Sequence, residues 1–230
     1  MEHEHDSVAV FIDGSNLYHS LEENCGRADL DFGAFARKLV DGRELFRVYY
    51  YNILQDVEKK GQAYQDQQKF LASLYNVPYL EVRLGTSKFR GDVMVEKGVD
   101  IMMATDLLQF AWQGVYDTAV LVTGDGDFTY AVQAVKNFGK FVEIAAFPAN
   151  LSWDLAQVAD DRHCLDREFF NDLWVTNRGP SAKRRRFRGK RPTSALPPQG
   201  QGQPQQGPTP QAQGQPQAAP SRPVPTPPLV

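Results

Sequence analysis

Residues 8–12 (VAVFI) are apolar without a break and end at Asp13-Gly14, the pattern of a strand buried on both faces and closed by a turn. Ser15 or Asn16 can cap a helix that runs to Glu23, and Asp31 can cap another that presents Phe32, Phe35, Ala36 and Leu39 at helical spacing. Aromatic and branched residues dominate 45–54 (LFRVYYYNIL), which predicts a second strand. A helix over 58–75 follows, with Tyr64, Phe70, Leu71 and Leu74 facing the core, and then an alternating strand at 78–84. Residues 85–92 are polar and read as a loop. Residues 99–112 form a helix that is apolar nearly all round and is therefore expected to be buried. Beyond it come a buried strand at 119–123, a helix at 128–138, a fifth strand at 141–147, and helical pieces at 151–158 and 168–175. Strands alternating with helices at this spacing predict an α/β fold: a Rossmann-like central parallel sheet of about five strands with helices on both faces.

Charge divides the chain in two. All 28 acidic residues lie before Thr176, together with 16 of the 25 Lys and Arg, so the body carries a net charge of −12. The other 9 basic residues begin at Arg178 and meet no acid. Residues 192–230 are almost entirely Pro, Gln, Gly, Ala, Ser and Thr, a composition that buries too little apolar surface to offset its ordering entropy. The expected organisation is a domain over 1–177 and a disordered tail over 178–230. That tail opens with the basic cluster Lys183, Arg184, Arg185, Arg186, Arg188, Lys190 and Arg191, with Phe187 available to stack on a base. An RNA partner and a solvated extension are both compatible with this cluster.

Cys25 and Cys164 offer neither metal-ligand spacing nor a disulfide framework. The amino-terminal residues lack the features of a secretory leader, and no apolar stretch approaches the roughly 20 residues of a membrane helix. The expectation is a soluble, cytoplasmic protein without a membrane partner or a small organic cofactor.

Candidate chemistry is acidic. In a doubly wound sheet, ligands bind beyond the carboxyl ends of the strands where strand order reverses, usually between the first strand and the fourth. Here those strands end in Ile12-Asp13-Gly14-Ser15-Asn16 and Val122-Thr123-Gly124-Asp125-Gly126-Asp127. A third contribution, Asp100, opens the apolar helix and falls by helical geometry in the arc of Met103, Ala104, Leu107 and Ala111, where an ionised carboxylate is costly unless paired. Converging carboxylates raise one another's pKa, and a hard cation such as Mg²⁺ or Mn²⁺ relieves the repulsion. Asp106 and Glu96 are expected to be structural. His19 and His163 have no acid or serine at a recognisable spacing.

Three stretches, VAVFIDGSNLY, EKGVDIMMATDLL and VLVTGDGDF with the FGK and strand after it, resemble the NYN family of PIN-like ribonucleases, most closely its LabA-like bacterial branch. The resemblance spans about residues 8–159. It implies a PIN-type fold in which Asp13, Asp100, Asp125 and Asp127 hold Mg²⁺ or Mn²⁺ for hydrolysis of RNA phosphodiester bonds, leaving 5′-phosphate ends. It also implies that Asn16 orients the site or meets the substrate phosphate, that Ser15 and Thr123 support it, and that Lys97 matches a family position. Two rivals stand beside this reading. A haloacid-dehalogenase-like phosphatase needs an acid two residues after the nucleophilic Asp, where this chain has Ser15. A non-catalytic RNA-binding or regulatory module would keep the fold and the acids without cutting.

Overall fold

The computed structural model describes residues 6–54, 61–90 and 93–176. Their strands form one seven-stranded sheet: β1 (Ser7–Asp13), β2 (Glu44–Leu54), β3 (Leu80–Arg90), β4 (Val93–Lys97), β5 (Thr118–Val122), β6 (Phe141–Ala146) and β7 (Asp161–Cys164). The order across the sheet is β4-β3-β2-β1-β5-β6-β7. Six strands are parallel, and β4 returns antiparallel beside β3 at one edge. Strand order reverses between β1 and β5, as the sequence predicts.

β1 lies in the middle of the sheet, which explains its unbroken apolar run. Val8, Ala9, Val10, Phe11 and Ile12 are all completely buried. Burial of each large side chain among them contributes roughly 1.5–3 kcal/mol. Successive residues feed opposite faces. Val8, Val10 and Ile12 pack with Leu17, Leu21, Phe35, Leu39, Leu71 and Leu74 from α1 (Gly14–Cys25), α2 (Phe32–Val40) and α3 (Gly61–Leu74). Ala9 and Phe11 pack with Met103, Leu107, Val132, Val135 and Leu155 from α4 (Val99–Trp112), α5 (Thr129–Asn137) and α6 (Trp153–Val158). The result is the expected three-layer α/β architecture.

Several local expectations change. The span read as a loop at 85–92 is strand as far as Arg90, pairing Arg90 with Val93 across an antiparallel hairpin. Its polar composition hid a pairing that depends on β4 rather than on core burial. Residues 91–92, residues 58–60 of the expected α3 start, and the whole of 178–230 lie outside the described residues. The short strand β7 was also unanticipated. Residues 168–175 are not helical. They make successive turns, with Asn171 N–H donating to Glu168 and Leu173 N–H to Phe170, before Trp174 bridges Leu30. Phe170 and Leu173 are nevertheless buried, so apolar spacing there reflects packing of turns. Finally, α4 is not enclosed all round: it lies against the sheet and α5 while Ile101 and Trp112 are 73% and 76% exposed.

Candidate acidic site

Asp13 closes β1 and is 6% exposed. The sequence suggests Ser15 or Asn16 as the cap of α1, but Asp13 itself takes that role. Its Oδ1 accepts a hydrogen bond from the Asn16 amide at 3.0 Å, and α1 begins at Gly14. Thr123, also buried, donates its hydroxyl to Asp13 Oδ2 at 3.3 Å and accepts the Asp125 amide at 3.2 Å. Asn16 Oδ1 accepts from Gly124 N–H at 3.2 Å. The ends of β1 and β5 are therefore stitched together from both sides. Asn16 thus bonds to both strand ends, its amide to Asp13 and its side chain to Gly124.

Electrostatics single out Asp13. Burial holds its carboxyl above the usual carboxylate range, and the negative charges of Asp100 and Asp125 push the same way. The Asn16 amide and Thr123 hydroxyl offset part of the rise. Asp100 and Asp125 therefore lie within electrostatic reach of Asp13, from α4 and from the loop after β5. Asp100 is exposed in the first turn of α4, not enclosed in the apolar arc expected for it, although Val99 beside it is buried. Asp125 is half-buried and caps a short 3₁₀ turn, Gly126–Phe128, by accepting the Asp127 amide at 3.0 Å. Asp127 is exposed on that turn.

Ser15 donates to Asn52 Oδ1 at 3.3 Å, and Asn52 Nδ2 donates to the Tyr50 hydroxyl at 2.9 Å. Burial raises the Tyr50 phenol well above its ordinary value, and the charge of Asp13 adds to the effect. Asn52 was not singled out in the sequence, although its place near the carboxyl end of an otherwise apolar, aromatic strand is a readable signal. Lys97 is the last residue of β4, opposite Thr86 and three residues before Asp100. The basic cluster Lys183, Arg184, Arg185, Arg186, Arg188, Lys190 and Arg191 lies outside the described residues.

Close backbone approach explains two glycines. A Cβ on Gly14 would sit 2.4 Å from the Tyr50 ring and 2.7 Å from the Tyr51 carbonyl oxygen. One on Gly124 would sit 2.0 Å from the carbonyl oxygen of Asn150, whose own side chain is held by Asn24 and Glu23 of α1. Ser152 N–H also donates to Gly124 at 2.8 Å. Gly124→Ala must displace backbone, at a cost of about 1–3 kcal/mol on the scale of overpacked cores. The expected result in thermal denaturation is a drop of several degrees. An unchanged melting temperature would contradict this account of the loop.

The donor set is entirely oxygen, which suits a hard divalent cation. Among the described residues, no three Asp, Glu, His or Cys side chains are gathered closely enough to grip an ion. By chemistry the residues suit a hard cation: Asp13 is the buried carboxylate, and Asp100 and Asp125 lie within its electrostatic reach.

Comparison with known proteins gives the arrangement a lineage. The chain is 24% identical over 162 residues to "Low amplitude and bright protein LabA" of Synechococcus elongatus, covering 66% of this chain and 80% of that one. A crystal structure of a protein of unknown function from Vibrio parahaemolyticus shares the fold with a TM-score of 0.59 and 25% identity, covering 74% of this chain and 99% of the other. The model of the NYN domain matches residues 7–166, from β1 to just beyond β7. Spanning the stitched ends of β1 and β5 and the start of α4, that match shows that the chain belongs to the NYN domain family of the PIN-like nuclease superfamily.

Proposed function

We propose that this protein is a Mg²⁺- or Mn²⁺-dependent ribonuclease, with residues 1–177 as the nuclease domain and 178–230 as a basic, RNA-binding tail. Family membership supports a nuclease-type or RNA-related function. The observation that carries the finer reading is the buried Asp13, raised by its burial and by the charges of Asp100 and Asp125 at the strand-order reversal.

In this reading Asp13, Asp100, Asp125 and Asp127 hold the cation. When bound, the cation supplies an acidified water and charge neutralisation at the phosphoryl oxygens. The chain's own residues prepare that chemistry. Thr123 and the Asn16 amide fix both oxygens of Asp13, and Asn16 fixes the loop that carries Asp125. Ser15 and Lys97 are assigned to the substrate phosphate in the same reading. RNA is the partner. No described helix is long and apolar enough to cross a membrane.

The phosphatase alternative is weakened further, because Ser15 stands where that mechanism needs an acid and its hydroxyl is engaged with Asn52. The non-catalytic RNA-binding module is favoured by one observation, the absence of a ready-made metal grip among the described residues.

Thermal denaturation separates the two surviving readings. A cation that binds only the folded state stabilises by mass action, by about 2.7 kcal/mol at one hundred times its Kd. Millimolar Mg²⁺ or Mn²⁺ is expected to raise the melting temperature by several degrees, and Asp125→Asn to blunt the rise. Unchanged melting, with no heat of binding in calorimetry, would remove the metal site and leave the non-catalytic module.

A further inference from the structure

Asp106 is buried at 7% exposure on the sheet side of α4, six residues after Asp100. Tyr51 donates its hydroxyl to Asp106 Oδ2 at 2.9 Å, and Arg83 forms an ion pair with the same oxygen. Arg83 is itself held. It pairs with Glu81 at 3.0 Å and its guanidinium lies 5.0 Å over the Tyr49 ring and 5.4 Å over the Phe110 ring. Burial pushes the Tyr51 phenol upward, and the charge of Asp106 pushes it further, so this hydroxyl stays a donor.

Sheet register gives the cluster its significance. Asp13 pairs with Tyr51, and Tyr51 pairs with Arg83. Ile12 pairs with Val122, which brings Thr123 beside Asp13 at the end of the same row. Partners across a parallel sheet share a face, so Arg83, Tyr51, Asp13 and Thr123 form one polar row beneath α4. At one end of this row α4 is fixed through Asp106. At the middle it brings the charge of Asp100 to Asp13.

The geometry points to Asp106 as a positioning residue for the acidic site: its bonds to Arg83 and Tyr51 set the rotation and seating of α4, and so the place of Asp100 relative to Asp13. Asp106 touches neither substrate nor metal. Alternatives for the same carboxylate are weak. It is enclosed by partners already satisfied by it, and it lies on the sheet side of the helix rather than at the exposed first turn. The proposal rests on the reading of Asp13 and Asp100 as metal ligands, but it also makes a claim about α4 that does not.

The full-length protein tests both. Asp106→Asn keeps size and an acceptor for Tyr51 while removing the charge that holds Arg83; Arg83→Met removes the other half. Each is expected to weaken Mn²⁺ binding in calorimetry by about tenfold, the lower end of what loss of a residue supporting metal ligands produces. The double variant is expected to be no worse than either single one, because the pair acts as one device. Amide hydrogen exchange without metal is expected to accelerate at residues 102–106, the first amides of α4 that are bonded within the helix. Val142→Ala, in the buried β6, lowers stability away from this row and serves as the comparison; its Mn²⁺ affinity is expected to stay at the wild-type value. Wild-type Mn²⁺ affinity and unchanged exchange in Asp106→Asn would overturn the positioning role while leaving the metal site standing. Equal affinity losses in Val142→Ala and Asp106→Asn would also overturn it, by reducing the effect to lost stability. A wild-type protein that binds no Mn²⁺ would overturn the metal site and the role together.

Discussion

Asp13→Asn is expected to abolish RNA cleavage while leaving the domain folded. Asn keeps the shape of Asp and an oxygen that can accept the Asn16 amide or the Thr123 hydroxyl, so the turn between β1 and α1 survives. What disappears is the inner negative charge. A loss of several orders of magnitude follows if the attacking water owes its acidity to the cation. The same substitution carries a second, opposite signature. Asp13 is raised above its unfolded value, so its ionised form is penalised in the fold at neutral pH. That penalty is constant well above the raised value and is relieved as pH falls through it toward the unfolded value, below which both states are protonated. Without metal, Asp13→Asn should therefore melt at or above the wild-type temperature and lose this part of the pH dependence. Cleavage assays, end-group analysis and melting curves read all three consequences. Cleavage at full rate by Asp13→Asn, or in the presence of chelator, would end the proposed mechanism, and cyclic-phosphate ends would point to the RNA's own 2′-hydroxyl as nucleophile.

Removal of residues 178–230 is expected to change RNA binding far more than it changes folding. Every core side chain among the described residues precedes that boundary, and the body carries a net charge of −12, which opposes a polyanion. Seven clustered cations are lost with the tail. Each phosphate contact contributes a slope of about 0.7 to the dependence of log affinity on log salt for single strands, so the slope should become shallower by up to about 5. Cleavage of RNA at high concentration should persist. A truncated protein that unfolds would misplace the domain boundary, and an unaltered salt slope would make the cluster a solvated extension.

How much of this was legible in the sequence varies by region. The central strands announce themselves: VAVFI and AVLV are buried on both faces, and each is followed closely by an Asp-Gly or Gly-Asp turn. Their adjacency, and with it the meeting of Asp13 and the Asp125 loop, follows from topology rules for parallel sheets. The β3–β4 hairpin was not legible, because antiparallel pairing at an edge needs a partner strand more than it needs apolar residues. Nor was the exposure of α4. Composition alone counts Ile101 and Trp112 as core, and only the path of the helix past the sheet leaves them outside. Asp13 as a helix cap was masked by Ser15 and Asn16, ordinary capping residues that stand two and three residues too late. Arg83 and Tyr51 carried no local signal at all; they join the site through register, a relation between strands that no single segment contains.

The two held oxygens of Asp13 belong to a part of the molecule that has no independent way of opening. β1 is bonded on both sides and covered on both faces, so releasing Asp13 from Thr123 means parting the centre of the sheet. Edge strands fray at little cost, whereas such a centre opens only with the whole domain. The slowest-exchanging amides should therefore include those of residues 8–13. Under mild denaturant, the inner half of the acidic site should last as long as any native molecules remain, while its outer half, on the exposed first turn of α4 and the 3₁₀ turn, breathes.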